Sequence, residues 1–189
     1  FFYLLIEHHG QTSLAISNVM RNVFGFFGVF NWAFASTANS MVSNLIGQNK
    51  KDEVLPIITK IMRLSVGISL LFCLLLNLFP GIYFSMFGQG SQFAAEGTPT
   101  LRVVAIAVVF SSAGALWLNS VTGTGKSKIT FLIELVAIVF YCLYVYLVLE
   151  VLDLSITWGW LSELLYWGII LGLSVWYIRR GKWKAGTGI

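Results

Sequence analysis

Residues 12–47 read TSLAISNVMRNVFGFFGVFNWAFASTANSMVSNLIG. About 20 helical residues cross a bilayer core, so this run is long enough to span one, and it holds a single charge, Arg21. Its polar residues are ordered. Asn18, Arg21, Asn22, Gly25, Trp32, Ser36, Asn39, Ser40 and Ser43 recur at spacings of three and four. At roughly 100° per residue they fall in an arc about 100° wide. Phe24, Phe27, Phe30, Phe34 and Met41 take the opposite side. A helix with a polar stripe along its whole depth borders either a water-filled cavity or another helix. Small residues and Asn also suit close helix packing, but Arg21 and Asn22 are large polar groups that favour water.

The rest of the chain places that run in a membrane. Of 189 residues, 57% are hydrophobic and 11% are charged, against roughly 25% charged in an ordinary soluble domain. That excludes a soluble fold, and the apolar content excludes disorder. Cys73 and Cys142 lie inside apolar runs and read as small hydrophobic residues rather than a disulfide framework. The reading is an all-α, polytopic membrane protein with spans over 12–47, 51–87, 92–122, 126–150 and 155–180. Barrel strands would be shorter and strictly alternating. The opening FFYLLI is too short to cross and reads as the tail of a helix that begins before Phe1.

Charges between the spans alternate. Lys50, Lys51, Lys60 and Arg63 follow the first span, Lys126 and Lys128 follow the third, and Arg179, Arg180, Lys182 and Lys184 follow the fifth. The stretches between these carry Glu7, then Glu96, then Glu150 and Asp153, with Arg102 just beyond Glu96 as a snorkelling interface residue. The positive-inside rule sets the basic loops and the C-terminus in the cytoplasm of a multi-pass cell-membrane protein. The net charge of +4 is then explained by loops facing an anionic leaflet, and no nucleic-acid partner is implied. Trp158, Trp160, Tyr166 and Trp167 at one end of the last span, and Trp176, Tyr177 and Trp183 at the other, read as interface belts. Pro56, Pro80 and Pro99 read as helix boundaries, and KKDEVLPIITKIMR, 50–63, as an amphipathic stretch on the inner membrane face.

Two carboxylates fall within spans, where ionisable groups are costly and point to function. Glu134 lies about 12 Å in from the basic side by helical rise and shares a face with Tyr141. It is the ion-coupling candidate. Glu163, set among Trp and Tyr, reads as a structural or shallow interface residue. Asn119 and Ser112 are further cavity candidates. SVTGTGKS, 120–127, has Ser120 where a phosphate-binding loop needs Gly, and follows a membrane span, so it reads as a tight turn. His8-His9 has no ligand partner at metal spacing. No catalytic triad or nucleophile elbow is present, so the sequence does not argue for an enzyme.

In order and spacing, IEHHG at 6–10 with LAISN at 14–18, SMVSNLIGQ at 40–48, VTGTG at 121–125, and Trp158 with Glu163 and Tyr166-Trp167 resemble the C-terminal half of multidrug and toxic compound extrusion (MATE) transporters. The resemblance implies a twelve-helix protein of two lobes, this chain supplying the end of helix seven and helices eight to twelve, with an N-terminal lobe as partner. It implies efflux of cationic or lipophilic small molecules by alternating access, with Na⁺ or H⁺ as coupling ion and no other cofactor. The cavity lining would then include Asn18, Arg21, Asn22, Trp32, Ser36, Asn39, Ser43 and Asn119. Some Na⁺-coupled relatives carry carboxylates on helices seven and ten. The helix-ten segment here has none after Glu96, which leaves the ion open. A lipid-linked saccharide flippase of the same superfamily and a non-transporting membrane scaffold are the alternative readings.

Overall fold

A computed structural model describes residues 2–87, 90–181 and 183. Lys182 and Lys184 of the basic tail lie outside the described residues. A short helix α1, Phe2–Glu7, breaks at Gly10, whose φ of 94° suits a residue without a Cβ. Helix α2 follows over Gln11–Gly47, then a 3₁₀ turn Lys51–Glu53 and α3 over Val54–Leu78. A short α4 spans Pro80–Met86, α5 spans Ser91–Gly123, and α6 spans Ser127–Tyr146. A π turn, Leu147–Val151, ends α6, and α7 closes the described chain over Ile156–Arg179. The protein is all-α, and five of its helices are long and apolar enough to cross a membrane.

The helices run up and down, and the loops sort by charge as the alternation requires. At the acidic end His8 Nδ1 lies 3.0 Å from Glu150 Oε1, and the Thr100 and Thr157 hydroxyls meet at 2.8 Å. At the basic end the Ser43 hydroxyl donates to the Gly123 carbonyl at 3.1 Å.

Helix α5 is the axis of the lobe. Of its most apolar window 72% is buried, against 17–33% for the other four spans. Its middle reads AIAVVFSSAGAL, and Ala105, Ala107, Ser111, Ser112, Ala113 and Gly114 are all buried. Lipid tails are as apolar as Leu, so helices associate in a bilayer through close packing, which small residues permit. At Gly114 an added Cβ would lie 3.0 Å from the Trp167 ring, so α7 seats directly on α5.

Two apolar cores form around this axis. One gathers Ile6, Met20, Val23, Phe84, Val104, Val145 and Trp160 toward the acidic end. The other gathers Val42, Val54, Ile58, Leu116, Ile133, Ile170 and Trp183 toward the basic end. Between them lies a polar junction. The buried Asn31 amide of α2 donates to the Ser111 hydroxyl of α5 at 2.8 Å, and the Ser69 hydroxyl of α3 donates to Asn31 Oδ1 at 3.4 Å. One side chain thus pins three helices at mid-depth.

Several sequence expectations are corrected. Pro56 and Pro80 do stand at helix starts, but Pro99 lies inside α5, and Glu96 lies in its early turns rather than in a loop. The Thr98 hydroxyl donates to the Ala94 carbonyl at 2.6 Å, adding a bond in the turn that Pro99 weakens. The second span does not run unbroken to residue 87. It stops at Leu78, and Pro80 starts α4. The amphipathic stretch from Lys50 continues from Val54 into α3, where Val54, Ile58 and Ile61 are buried, so those turns begin the crossing helix rather than a separate surface helix. Trp160 and Trp183 are 4% and 1% exposed and belong to the two cores, while Trp158 and Trp176 are the exposed members of their clusters. Sequence position gives an aromatic its depth along a helix but not the direction it faces.

Candidate functional site

Two faces of the helix assembly gather polar or charged side chains. The first is the free side of α2. Its core side, Ile16, Met20, Val23, Phe27, Asn31, Ala35, Ala38 and Val42, is buried. The polar arc is therefore turned away: Asn18, Arg21, Asn22, Trp32, Ser36, Ser40 and Ser43 are exposed, and Asn39 is half-buried at its edge. Trp32 is 71% exposed, and Phe26 and Val29 interleave with the polar groups at 62% and 70%. The face is amphiphilic, with hydrogen-bonding groups beside open aromatic surface. At the basic end its edge is held by α5: a Cβ on Gly123 would lie 2.7 Å from the Asn39 carbonyl oxygen and 3.1 Å from Asn39 Oδ1. Only glycine lets the two helices meet there, a requirement that the turn reading of residues 120–127 does not reveal.

The second is a hollow of about 490 Å³ where α1, α2, α6 and α7 meet, lined by Phe2, Tyr3, Arg21, Phe24, Ile138, Tyr141, Cys142, Trp160 and Glu163. A smaller hollow of about 230 Å³ shares Ile138, Tyr141 and Glu163 and adds Tyr166. The rings brace one another. Phe2 meets Trp160 edge-on at 5.2 Å, Phe24 stacks on Trp160 at 6.0 Å, and Tyr141 meets Tyr166 edge-on at 5.9 Å. The Tyr3 hydroxyl donates to the Ser17 carbonyl at 2.9 Å, and the Trp160 indole N–H donates to the Ser17 hydroxyl at 3.2 Å. The Arg21 guanidinium lies over the Tyr3 ring, 5.6 Å from its centroid. Glu163, read as a structural or shallow interface residue, lines this hollow, half-buried.

The MatE family matches residues 1–147, which is most of the chain. The chain belongs to the MatE family. It is a multi-pass membrane protein and a transporter of that superfamily. Comparison with curated proteins and with solved structures found no match. The MatE match covers α1 to α6 and stops before α7, so Glu163 lies beyond it.

Of the remaining candidates, Asn119 stands near the α5 edge of the α2 face, and Glu134 and Ser112 do not join that face. Glu134 is exposed on α6 and lies near Tyr166. Asn119 is half-buried and donates to the Ala115 carbonyl of its own helix at 2.9 Å, one turn before Gly123. Ser112 is fully buried and donates to the Val109 carbonyl at 2.8 Å. Arg102 is exposed. His8 and His9 join the α1–α2 break to the loop after α6: besides the His8–Glu150 contact, His9 Nε2 lies 3.1 Å from the Leu149 carbonyl and its Nδ1 lies 3.7 Å from Asp153. Among the described residues no group of three His, Cys, Asp or Glu is placed to hold a metal.

Asn31 and the aromatic hollow are the features that sequence reasoning missed. Asn31 stands on the apolar side of α2, and a lone amide on a buried face signals a helix junction. The hollow carries no local signal, because its residues come from four segments up to 161 positions apart (Phe2 to Glu163).

Proposed function

We propose that this MatE chain forms one lobe of a secondary active exporter, which moves cationic or lipophilic small molecules out of the cell by antiport with Na⁺ or H⁺. The observation that carries this reading is the free face of α2. It is wide, amphiphilic and unpartnered in the lobe, whereas the free faces of the other long helices are mostly apolar. Polar side chains in contact with acyl chains are costly, so this face suits a water-filled passage bordered by a second lobe. Asn18, Arg21, Asn22, Ser36, Asn39 and Ser43 would line that passage, Asn119 would stand near its α5 edge, and Trp32 would offer a ring to an apolar cation. Rocking of one lobe against the other would open the passage to each side in turn. The basic loops support a cytoplasmic C-terminus in the cell membrane. Glu134 is the coupling-ion candidate of this reading.

Reconstituted protein should expel a fluorescent organic cation when a Na⁺ or H⁺ gradient is imposed and stop when it is collapsed. Efflux indifferent to both gradients overturns the antiport. Cysteines placed at Asn22, Ser36 and Asn39 should react with a membrane-impermeant thiol reagent at least about tenfold faster than cysteines at Leu135 and Val139, because thiol reaction needs water. Equal rates would turn the α2 face into a dry seam and favour a scaffold.

A further inference from the structure

Helices α6 and α7 leave a groove between them at the basic end. Its walls include Ile129, Leu132 and Val136 of α6 and Leu173, Trp176 and Tyr177 of α7, and it shares no lining residue with the Glu163 hollow or the α2 face. Each set recurs at spacings of three and four, so each helix gives the groove one stripe. From Ile129 to Val136 the groove covers about 10 Å of helical rise, well over half the roughly 15 Å hydrocarbon depth of one leaflet. Its volume is only about 190 Å³, below the range of about 300–1,000 Å³ usual for small-molecule pockets. So long a run with so little volume suits a single hydrocarbon chain lying along the helices.

Cations stand at one end of this groove. Arg180 comes seven, four and three residues after Leu173, Trp176 and Tyr177, so it continues their stripe. Its φ of −64° and ψ of −18° keep it in helical register. Its guanidinium lies over the Trp176 ring, 4.1 Å from the centroid. Gly181 then turns the chain at φ 67°, and the buried Trp183 indole N–H donates to the Ile178 carbonyl at 2.9 Å. That clasp holds the end of α7, and Arg180 with it, at the mouth of the groove. On the α6 side Lys128 is exposed and adjoins Ile129. Among the described residues neither cation has a carboxylate within 4 Å. Glu134 lies about 150° around α6 from the groove stripe.

These features select an amphiphile with an anionic head. The apolar slot accepts a chain, and two unneutralised cations at its interfacial end offer a phosphate seat. A guanidinium binds phosphate through paired N–H donors, and here the ring beneath already orients it. A helix, about 10 Å wide with its side chains, is too thick for this volume. Basic pockets between membrane helices recur as sites for lipid head groups. We propose that the α6–α7 groove is a binding site for an anionic phospholipid, its phosphate on Arg180 and Lys128 and one acyl chain between Leu132, Val136 and Leu173. The site rests on the membrane class alone and is independent of what the protein transports.

The test is native mass spectrometry of the intact protein in detergent, titrated with phosphatidylglycerol or with phosphatidylcholine of the same chains. Phosphatidylglycerol should bind at least about fivefold more tightly. Arg180→Gln and Lys128→Gln, at exposed positions, should each weaken phosphatidylglycerol about fivefold, while Arg179→Gln, exposed but off the stripe, should stay within about twofold. Leu132→Trp fills the groove from an exposed position without touching a charge, and should weaken phosphatidylglycerol at least about fivefold. Glycerol 3-phosphate, which carries the phosphate without a chain, should leave the bound lipid in place. Equal affinity for the two lipids, or an equal loss in Arg179→Gln and Arg180→Gln, overturns the site and leaves only general attraction to a basic surface. Unchanged binding in Leu132→Trp, or displacement by glycerol 3-phosphate, overturns it too, because the groove would then hold no chain.

Discussion

Helices α2 and α6 both turn a wide face away from the lobe, and the two faces differ in kind. Between its ends, marked by exposed Ser127, Lys128 and Tyr146, α6 exposes Phe131, Leu132, Leu135, Val136, Ile138, Val139, Phe140 and Leu143, interrupted by Glu134. On α2 they include Asn18, Arg21, Asn22, Ser36, Thr37, Ser40, Ser43 and Asn44, interleaved with Phe26, Val29, Phe30, Trp32 and Met41. Exposure alone does not separate them. Composition does, because a face bathed in acyl chains has no water for a hydroxyl or amide to bond. That difference supports the proposed reading, in which α6 meets lipid and α2 borders a water-filled passage.

The sharpest way to break this comparison is to exchange charge between the faces. Val139→Arg should cost about 2.5–3.5 kcal/mol of insertion free energy if α6 meets lipid, whereas Ser36→Arg should cost under about 1 kcal/mol if α2 borders water. Membrane insertion efficiency of the two variants measures it, and equal costs would erase the distinction between the faces.

Backbone approach gives a second contrast. Gly123→Ala should destabilise the α2–α5 contact by about 1–3 kcal/mol, since its Cβ would collide with a backbone oxygen that cannot rotate away. Gly25→Ala, on the free face with nothing within 4 Å, should be neutral or stabilising by up to about 1 kcal/mol, because alanine is the better helix former. The thermal unfolding midpoint in detergent should fall in Gly123→Ala and hold or rise in Gly25→Ala.

The core face of α2 predicts a smaller loss. Asn31→Ala removes the junction with Ser69 and Ser111 and should cost about 0.6–1.7 kcal/mol, while Asn22→Ala on the free face should leave the midpoint unchanged. A shift in Asn22→Ala as large as in Asn31→Ala would mean that the free face is packed after all.

Much of this fold is legible in the chain because lipid imposes simple rules. Each crossing helix needs a long apolar run, and all five long helices fall where those runs are. The α2 face was legible for a related reason: its polar residues share one helix, so spacing alone places them together. Glu163 was not. Its ring partners come from α1, α2 and α6, and no local pattern announces that Phe2, Phe24 and Tyr141 converge on one carboxylate. The aromatic belts misled in the same way. Trp160 and Trp158 differ by two positions, yet one is packed against Phe2 and Phe24 and the other is exposed.

The chain's composition and periodicity alone gave the membrane class, five long apolar helices and the gathering of the α2 polar residues on one exposed side, although Phe30 and Met41, read on the opposite side, are exposed as well. Tertiary structure decided that α5 is the axis, that Asn31 joins three helices, and that Glu163 sits in an aromatic hollow. Those facts depend on which helix faces are brought together by small residues such as Gly114 and Gly123, and close packing between distant segments leaves no periodic trace in any one of them.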